Sequence, residues 1–152
     1  MEIKELSKEN VEEFIIYLNK ALAIEPDRMT TDDIDEEAII KVVSNQPNEL
    51  SRSLLAYKDH QIVGRLEFHS YLCIQDSYRM AYVNWVYTLP DYRHRGVAQS
   101  LFKAFENICL QEEINQYFLI QAENQAASRF YKAFEHGTSS KEIILRKTLS
   151  KF

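Results

Sequence analysis

Arg93, His94 and Arg95 stand directly before Gly96 in the run YTLPDYRHRGVAQSLF, residues 87–102. Two guanidinium groups, an imidazole and a residue without a Cβ gather where an apolar stretch stops at Pro90 and a helical pattern begins. The first N–H groups of a helix have no partner within it, and the helix dipole adds positive potential there. Glycine at that point lets a bulky anion approach the backbone, and Ala98, just inside the helix, keeps the approach open. Arg93 and Arg95 add charge beside it. Together these residues could hold a diphosphate. An isolated R-x-x-G-x-A also reads as a solvated turn before a helix. The setting favours the anion, because Gly96 is one of only three glycines in the chain. The P-loop and dinucleotide fingerprints do not fit, since neither G-x-x-x-x-G-K-[ST] nor G-x-G-x-x-G occurs.

Such a turn needs a strand before it and a helix after it. Val97, Leu101, Phe105 and Ile108 share one face of a predicted helix over 96–113, with Phe102 and Cys109 beside them. Before the turn, YRMAYVNWVYT predicts a strand. Strict alternation puts Thr88, Val86, Asn84 and Tyr82 on one face and Trp85 and Val83 on the other. Upstream, RSLLAYK and QIVGRLEFHSYLCI predict two strands joined at Asp59–His60, a hairpin turn. MEIKEL suits a short first strand. Ser7 can cap a helix over 8–23, and a second helix is expected over 32–45, with Asp33 and Glu36 as a capping box and Pro47 beyond its end. After the helix at 96–113 come a strand over 116–122, a helix in NQAASRFYKAFEH ended by Gly137, and a last strand in KEIILRKTL. The order β-α-α-β-β-β-α-β-α-β predicts an α/β (α+β mixed) fold. Its sheet is mixed and mostly antiparallel, with helices on both faces.

A length of 152 residues fits a single domain, 1–152, and eight Phe, nine Tyr and one Trp can fill its core. The net charge of −5 argues against a nucleic-acid partner, which calls for a basic surface. No apolar run approaches the roughly 18 residues of a membrane span, and the charged MEIKELSKEN lacks the apolar stretch of a secretory signal. Cys73 and Cys109 make neither a disulfide framework nor a metal cluster. They read as buried thiols of a reducing cytoplasm, so the expected location is cytoplasmic and no metal is expected.

Two motifs carry a resemblance to a known family. TLPDYRHRGVA, residues 88–98, matches [RQ]-x-x-G-x-[GA] after a strand ending in a V-x-P-x-x-R-like run. Asn124, Ala127, Phe130 and Tyr131 match N-x-x-A-x-x-[LF]-Y at the right spacing downstream. In these motifs and in its element order the chain resembles the GNAT superfamily of N-acetyltransferases. The resemblance covers nearly the whole chain, although the motifs themselves span only about 85–135. Thr88, where the family often has Val, is a mild departure that leaves the backbone role intact.

The resemblance implies acetyl-CoA as co-substrate and transfer of its acetyl group to a primary amine by direct attack. The pyrophosphate is expected on backbone N–H groups of Arg93, His94, Arg95, Gly96, Val97 and Ala98. Pantetheine is expected between two strands that part, bonded by peptide groups of Val86, Tyr87 and Thr88, with Asn124, Ser128 and Tyr131 also at the cofactor. A backbone N–H near Val86 could meet the oxyanion. Tyr131 would protonate the leaving thiolate, although it also reads as a core tyrosine on an amphipathic helix. Asn124 also reads as a helix cap. The position of the family's strand carboxylate falls at Tyr82. Glu67 and His69 on the neighbouring strand are therefore candidates for the base, as is a water held by Asn84 and Tyr82. The plainer reading of Glu67 and His69 is polar strand residues facing solvent.

The resemblance places the acceptor near the segment between the first two helices. There Glu25, Asp27, Asp32, Asp33, Asp35, Glu36 and Glu37 face only Arg28. That wall would draw a small-molecule or peptide amine, or it simply caps a helix and solvates a loop. Tyr71, Tyr78 and Tyr82 could add cation–π contacts or merely pack. The competing reading is a catalytically weak acyl-CoA-binding sensor or partner module. O-acylation, longer acyl chains and a homodimer stay open.

Overall fold

The computed structural model describes residues 1–45, 51–134 and 137–149, in two compact units, Met1–Ile120 and Gln121–Phe152. The first unit is built on five strands: β1 (Glu2–Glu5), β2 (Arg52–Lys58), β3 (Gln61–Cys73), β4 (Tyr78–Thr88) and β5 (Ile114–Leu119). They lie side by side in chain order, antiparallel except for the parallel pair β4 and β5. Asp59 and His60 join β2 to β3 with φ of 51° and 61°, the left-handed conformation of a tight hairpin turn.

Three helices complete this unit: α1 (Val11–Ile24), α2 (Glu36–Asn45) and α3 (Val97–Gln111). Successive strand residues face opposite ways, so adjacent positions on β3 show where the helices lie. Gly64 meets α3, where an added Cβ would come within 2.6 Å of Val97 Cγ1. Arg65, next along, has its guanidinium over the ring of Phe14 on α1. The sheet therefore has α3 on one face and α1 on the other. Under α1 the core is Phe14, Tyr17, Ala21, Leu55, Tyr57, Ile62, Tyr87 and Leu89. Under α3, Phe68 packs on Phe105 with ring centroids 4.7 Å apart. Burying such side chains contributes about 1.5–3 kcal/mol each.

Two helix starts fall later than expected. The N-cap residue of α1 is Asn10, not Ser7, and its side chain bonds back rather than to the helix: Nδ2 donates to Glu5 O, and Ser7 N donates to Oδ1. α2 begins at Glu36, where Ala38 N donates to Asp35 Oδ1 at 3.0 Å. Asp33 instead accepts from the amide of Ile34, its immediate neighbour. Among several acidic residues the cap is the one whose backbone turns into the helix, and composition does not identify it. Pro47 lies outside the described residues.

The second unit contains α4 (Gln125–Lys132), with Asn124 as N-cap accepting from Ala127 N at 2.8 Å. The helix stops short of the expected Gly137, and Glu135 and His136 lie outside the described residues. Residues 141–149, expected as a final strand, form none. Ile143, Leu145 and Leu149 are exposed. Alternation makes a segment competent for a strand, but a ladder exists only where a partner takes its backbone groups.

Candidate functional site

The turn before α3 has the conformation that an anion site requires. Pro90–Tyr92 forms a 3₁₀ turn, His94 has φ of 59°, and Gly96 has φ of 80°. Gly96 is the N-cap of α3 and no side chain caps the helix. A Cβ built on Gly96 would meet nothing within 4 Å, so the glycine is needed for its backbone conformation and the space before it is open. The first α3 amides face that space without a side-chain cap. Uncapped amides, an unobstructed approach and nearby Arg95 suit a pyrophosphate group.

Arg93 does not supply a free charge to this turn. Its amide donates to Pro90 O, and its Nε donates to Thr88 O at 3.1 Å. Its Nη1 donates to Glu25 Oε1 at 3.2 Å, and its Nη2 pairs with Glu25 Oε2. Glu25 also accepts from Tyr87 Oη at 2.7 Å. The Arg93 guanidinium holds the Glu25 carboxyl below its ordinary range, while burial and then Glu25 push the Tyr87 hydroxyl up to about 12. Glu25 thus ties the end of α1 to β4 and to the turn before α3. The sequence counted it into an acidic wall, and no local signal pointed to a partner 68 residues away.

On the other side of the turn, β4 carries a bulge. Glu67 pairs with Trp85 and Phe68 with Val83, which leaves Asn84 as the extra residue. Paired residues share a face. Trp85 and Tyr87 therefore lie with Glu67 and Arg65, on the α1 side, and Tyr82 lies there too, paired with His69. Asn84 joins them, donating from Nδ2 to Glu67 Oε1 at 2.6 Å. Val83 falls on the α3 side with Val86. The expected alternation, with Asn84 and Tyr82 opposite Trp85, is corrected here: a bulge adds one residue and inverts the parity beyond it. Pairing of β4 with β5 ends at Val83–Leu119, so Asn84 to Thr88 run on without β5 beside them. That parting is the strand arrangement in which pantetheine was expected.

The bulge gathers a polar cluster around Glu67. Ser53 Oγ donates to Glu67 Oε2 at 3.2 Å, and Arg65 Nη2 lies 3.4 Å from the same oxygen. The Arg65 guanidinium sits between Phe14 and Trp85, 5.3 and 5.7 Å from their ring centroids. Glu67 is therefore a bonded, half-buried carboxylate and not a solvated strand residue. His69 packs edge-on against Tyr82 at 5.4 Å, and Tyr82 stacks on Phe118 at 4.9 Å. A cavity of about 550 Å³ opens on Glu67 and Trp85 and runs beneath α2, with Asp33 and Asp35 also lining it. Tyr71 and Tyr78, candidate cation–π partners, lie outside it and direct their hydroxyls toward Met80 Sδ.

The remaining expected residues belong to the second unit. Asn124 is the α4 cap already described. Ser128 and Tyr131 lie on α4, where Tyr131 packs on Phe130 and Phe134 at 5.1 and 5.4 Å. Burial raises the Tyr131 hydroxyl above its ordinary pKa, so it keeps its proton at neutral pH. Cys109 is buried and its thiol is pushed up to about 11, whereas Cys73 is only half-buried. Among the described residues no group of three or more His, Cys, Asp or Glu side chains could hold a metal ion, and no helix is long and apolar enough to cross a membrane.

Comparison with known proteins follows the same lines. A model of the acetyltransferase (GNAT) family matches residues 9–135. No curated protein sequence matches the chain. Among solved structures, one similar fold is an aminoglycoside acetyltransferase from an uncultured soil metagenomic sample, in complex with sisomicin. It has a TM-score of 0.82 and 17% identity, over 98% of this chain and 96% of that one. A ribosomal-protein-alanine N-acetyltransferase from Brucella melitensis biovar Abortus 2308 gives a TM-score of 0.74 and 16% identity, over 97% and 100%. An aminoglycoside N-acetyltransferase in complex with CoA gives 0.68 and 21%, over 97% and 99%. At such identities these structures show the fold alone.

Proposed function

The chain belongs to the acetyltransferase (GNAT) family, and from that premise we propose that it moves an acetyl group from acetyl-CoA to a primary amine of a small cationic molecule or peptide. Its solved structural neighbours include aminoglycoside acetyltransferases, one of them in complex with CoA, and a ribosomal-protein-alanine N-acetyltransferase. Acetyl-CoA supplies an acyl group activated as a thioester. The residues present suit it: open, uncapped amides at Gly96 to Ala98, and strand edges that part beyond Val83.

The observation that carries this reading is the β4 bulge. It ends the β4–β5 ladder and brings Asn84 onto the Glu67 carboxylate, at the head of a cavity large enough for an acceptor. An amine is protonated at neutral pH and must lose a proton before it attacks. Glu67 accepts that proton, held in orientation by Asn84, Ser53 and Arg65. A backbone N–H near Val86 stabilises the oxyanion that develops at the acyl carbon. Tyr131 gives its proton to the departing thiolate; its support is its motif position and a hydroxyl that stays protonated. Holding amine and thioester together supplies much of the acceleration, because the thioester is already reactive. A single domain over 1–152 and a cytoplasmic location are part of the proposal.

Release of CoA thiol with acetyl-CoA and a panel of amines tests the reading, with mass spectrometry of the acceptor as proof of transfer. Tyr131→Phe should lower kcat about 100-fold, and full activity in that variant would remove Tyr131 as the acid. Tight acetyl-CoA binding without thiol release for any amine would favour the sensor reading.

A further inference from the structure

We propose that Glu25 is a positioning residue that couples the two halves of the site. A cofactor seated on the turn before α3 orders the acceptor loop, residues 29–35, through this one carboxylate. The inference rests on the acetyltransferase reading and names how its cofactor and acceptor sites communicate.

The place of Glu25 in the chain is the first observation. It ends α1 and precedes the 3₁₀ turn Pro26–Arg28, so it sets the direction in which the chain leaves the helix. The residues that follow, Met29, Thr30, Thr31, Asp33, Ile34 and Asp35, line the cavity beneath α2. Their own bonds are local. Pro26–Arg28 buries no residue, and the side-chain bonds of Thr31, Asp33 and Asp35 reach no further than three residues along the chain. Met29 packs against the core under α1. A segment held this way orders readily when its entry point is fixed.

The partners of the carboxylate are the second observation. Oε1 accepts from Arg93 Nη1 at 3.2 Å and lies 3.2 Å from Arg28 Nε. Oε2 pairs with Arg93 Nη2 and accepts from Tyr87 Oη at 2.7 Å. Arg28 leads into the acceptor loop, Tyr87 belongs to β4, and Arg93 belongs to the cofactor turn. A guanidinium fork on both oxygens passes on orientation as well as charge.

Arg93 is equally tied to the cofactor side. Its Nε donates to Thr88 O at the end of β4, and the next residue, His94, holds φ of 59°. A residue other than glycine keeps that conformation only at a cost. An anion on the turn amides therefore favours one arrangement of the turn, and with it one placement of the Arg93 fork. Glu25 and the start of the loop are then fixed as well. The first ligand bears ordering entropy that the second avoids, and the coupling acts equally in both directions.

Hydrogen exchange read by mass spectrometry reports on both places at once, with free CoA as the probe and no acceptor required. In the full chain CoA is expected to slow the amides of 96–99, and to slow those of 29–35 at least about fivefold. In Glu25→Gln, CoA is expected to bind within about tenfold of the parent affinity and still to slow 96–99, with the slowing at 29–35 gone. Should Glu25→Gln misfold, Arg93→Lys keeps the positive charge, loses the fork and is expected to show the same separation. Unchanged exchange at 29–35 when CoA slows 96–99 in the parent, or equal slowing at 29–35 in the variants, would overturn the proposal. CoA that slows neither segment would overturn the acetyltransferase reading, and this inference with it.

Discussion

α3 and α2 are both amphipathic helices flanking the same sheet, and they meet it in opposite ways. α3 buries Val97, Leu101, Phe102, Phe105 and Cys109, and its first turn presses so closely on Gly64 that a single added carbon would clash. α2 has no fully buried residue, packs Ile39 against the core under α1, and roofs a cavity. The difference follows the ligand each end must serve. An anion gripped by backbone amides needs a helix start fixed in place, so α3 is locked by close packing and the turn before it by the Arg93–Glu25 pair. An acceptor held by side chains needs room, so part of the apolar side of α2 faces the cavity.

The contrast breaks first at Gly96. Gly96→Glu sets a carboxylate where the anion would lie and forces an L-residue into φ of 80°. Calorimetry should show acetyl-CoA binding abolished, while the melting temperature falls only slightly, since the strain costs about 1–2 kcal/mol. Retained binding would move the anion site elsewhere. The next largest effect compares the two helices directly. Leu101→Ala, fully buried on α3, should cost about 2–5 kcal/mol in chemical denaturation. Ile39→Ala on α2 should cost less than about 1 kcal/mol. Equal losses would mean that α2 is packed as closely as α3.

Glu67→Gln sharpens the chemical side. It keeps the shape and removes the proton acceptor, so kcat should fall about 100-fold with acetyl-CoA affinity unchanged, as read by steady-state kinetics and calorimetry. The smallest effect is electrostatic. Glu25 has a depressed carboxyl pKa in the folded chain, chiefly through Arg93. The folded state then binds fewer protons there than the unfolded state. Its contribution is present above the ordinary value of 4.5 and is lost as pH falls through the lower folded value. Glu25→Gln should lower stability by about 1 kcal/mol at pH 7 and flatten its acid dependence below pH 4.5. An acid limb that stays unchanged in thermal melts would remove the pair from that role.

Much of this was legible in the sequence, for reasons particular residues make plain. The anion turn lies within one short stretch, where Gly96 and the apolar periodicity of α3 speak for themselves. The Asp59–His60 turn is equally local. Glu67 could be named as a candidate, but its setting could not be read, because Ser53, Arg65 and Asn84 reach it from three strands. Arg93 was assigned to an anion, yet its fork was already filled by Glu25. A last strand was expected in KEIILRKTL, and among the described residues no ladder accompanies it.

The order of elements as far as α4, the family motifs and the helix start at Gly96 were determined by the sequence itself, since periodicity and backbone permission act over a few neighbouring residues. The faces of β4, the partners of Glu67 and Glu25, and the unfilled space beneath α2 were decided only by the tertiary structure. A bulge at Asn84 is defined by what β3 places opposite it, and one extra residue there reverses which side chains look into the cavity.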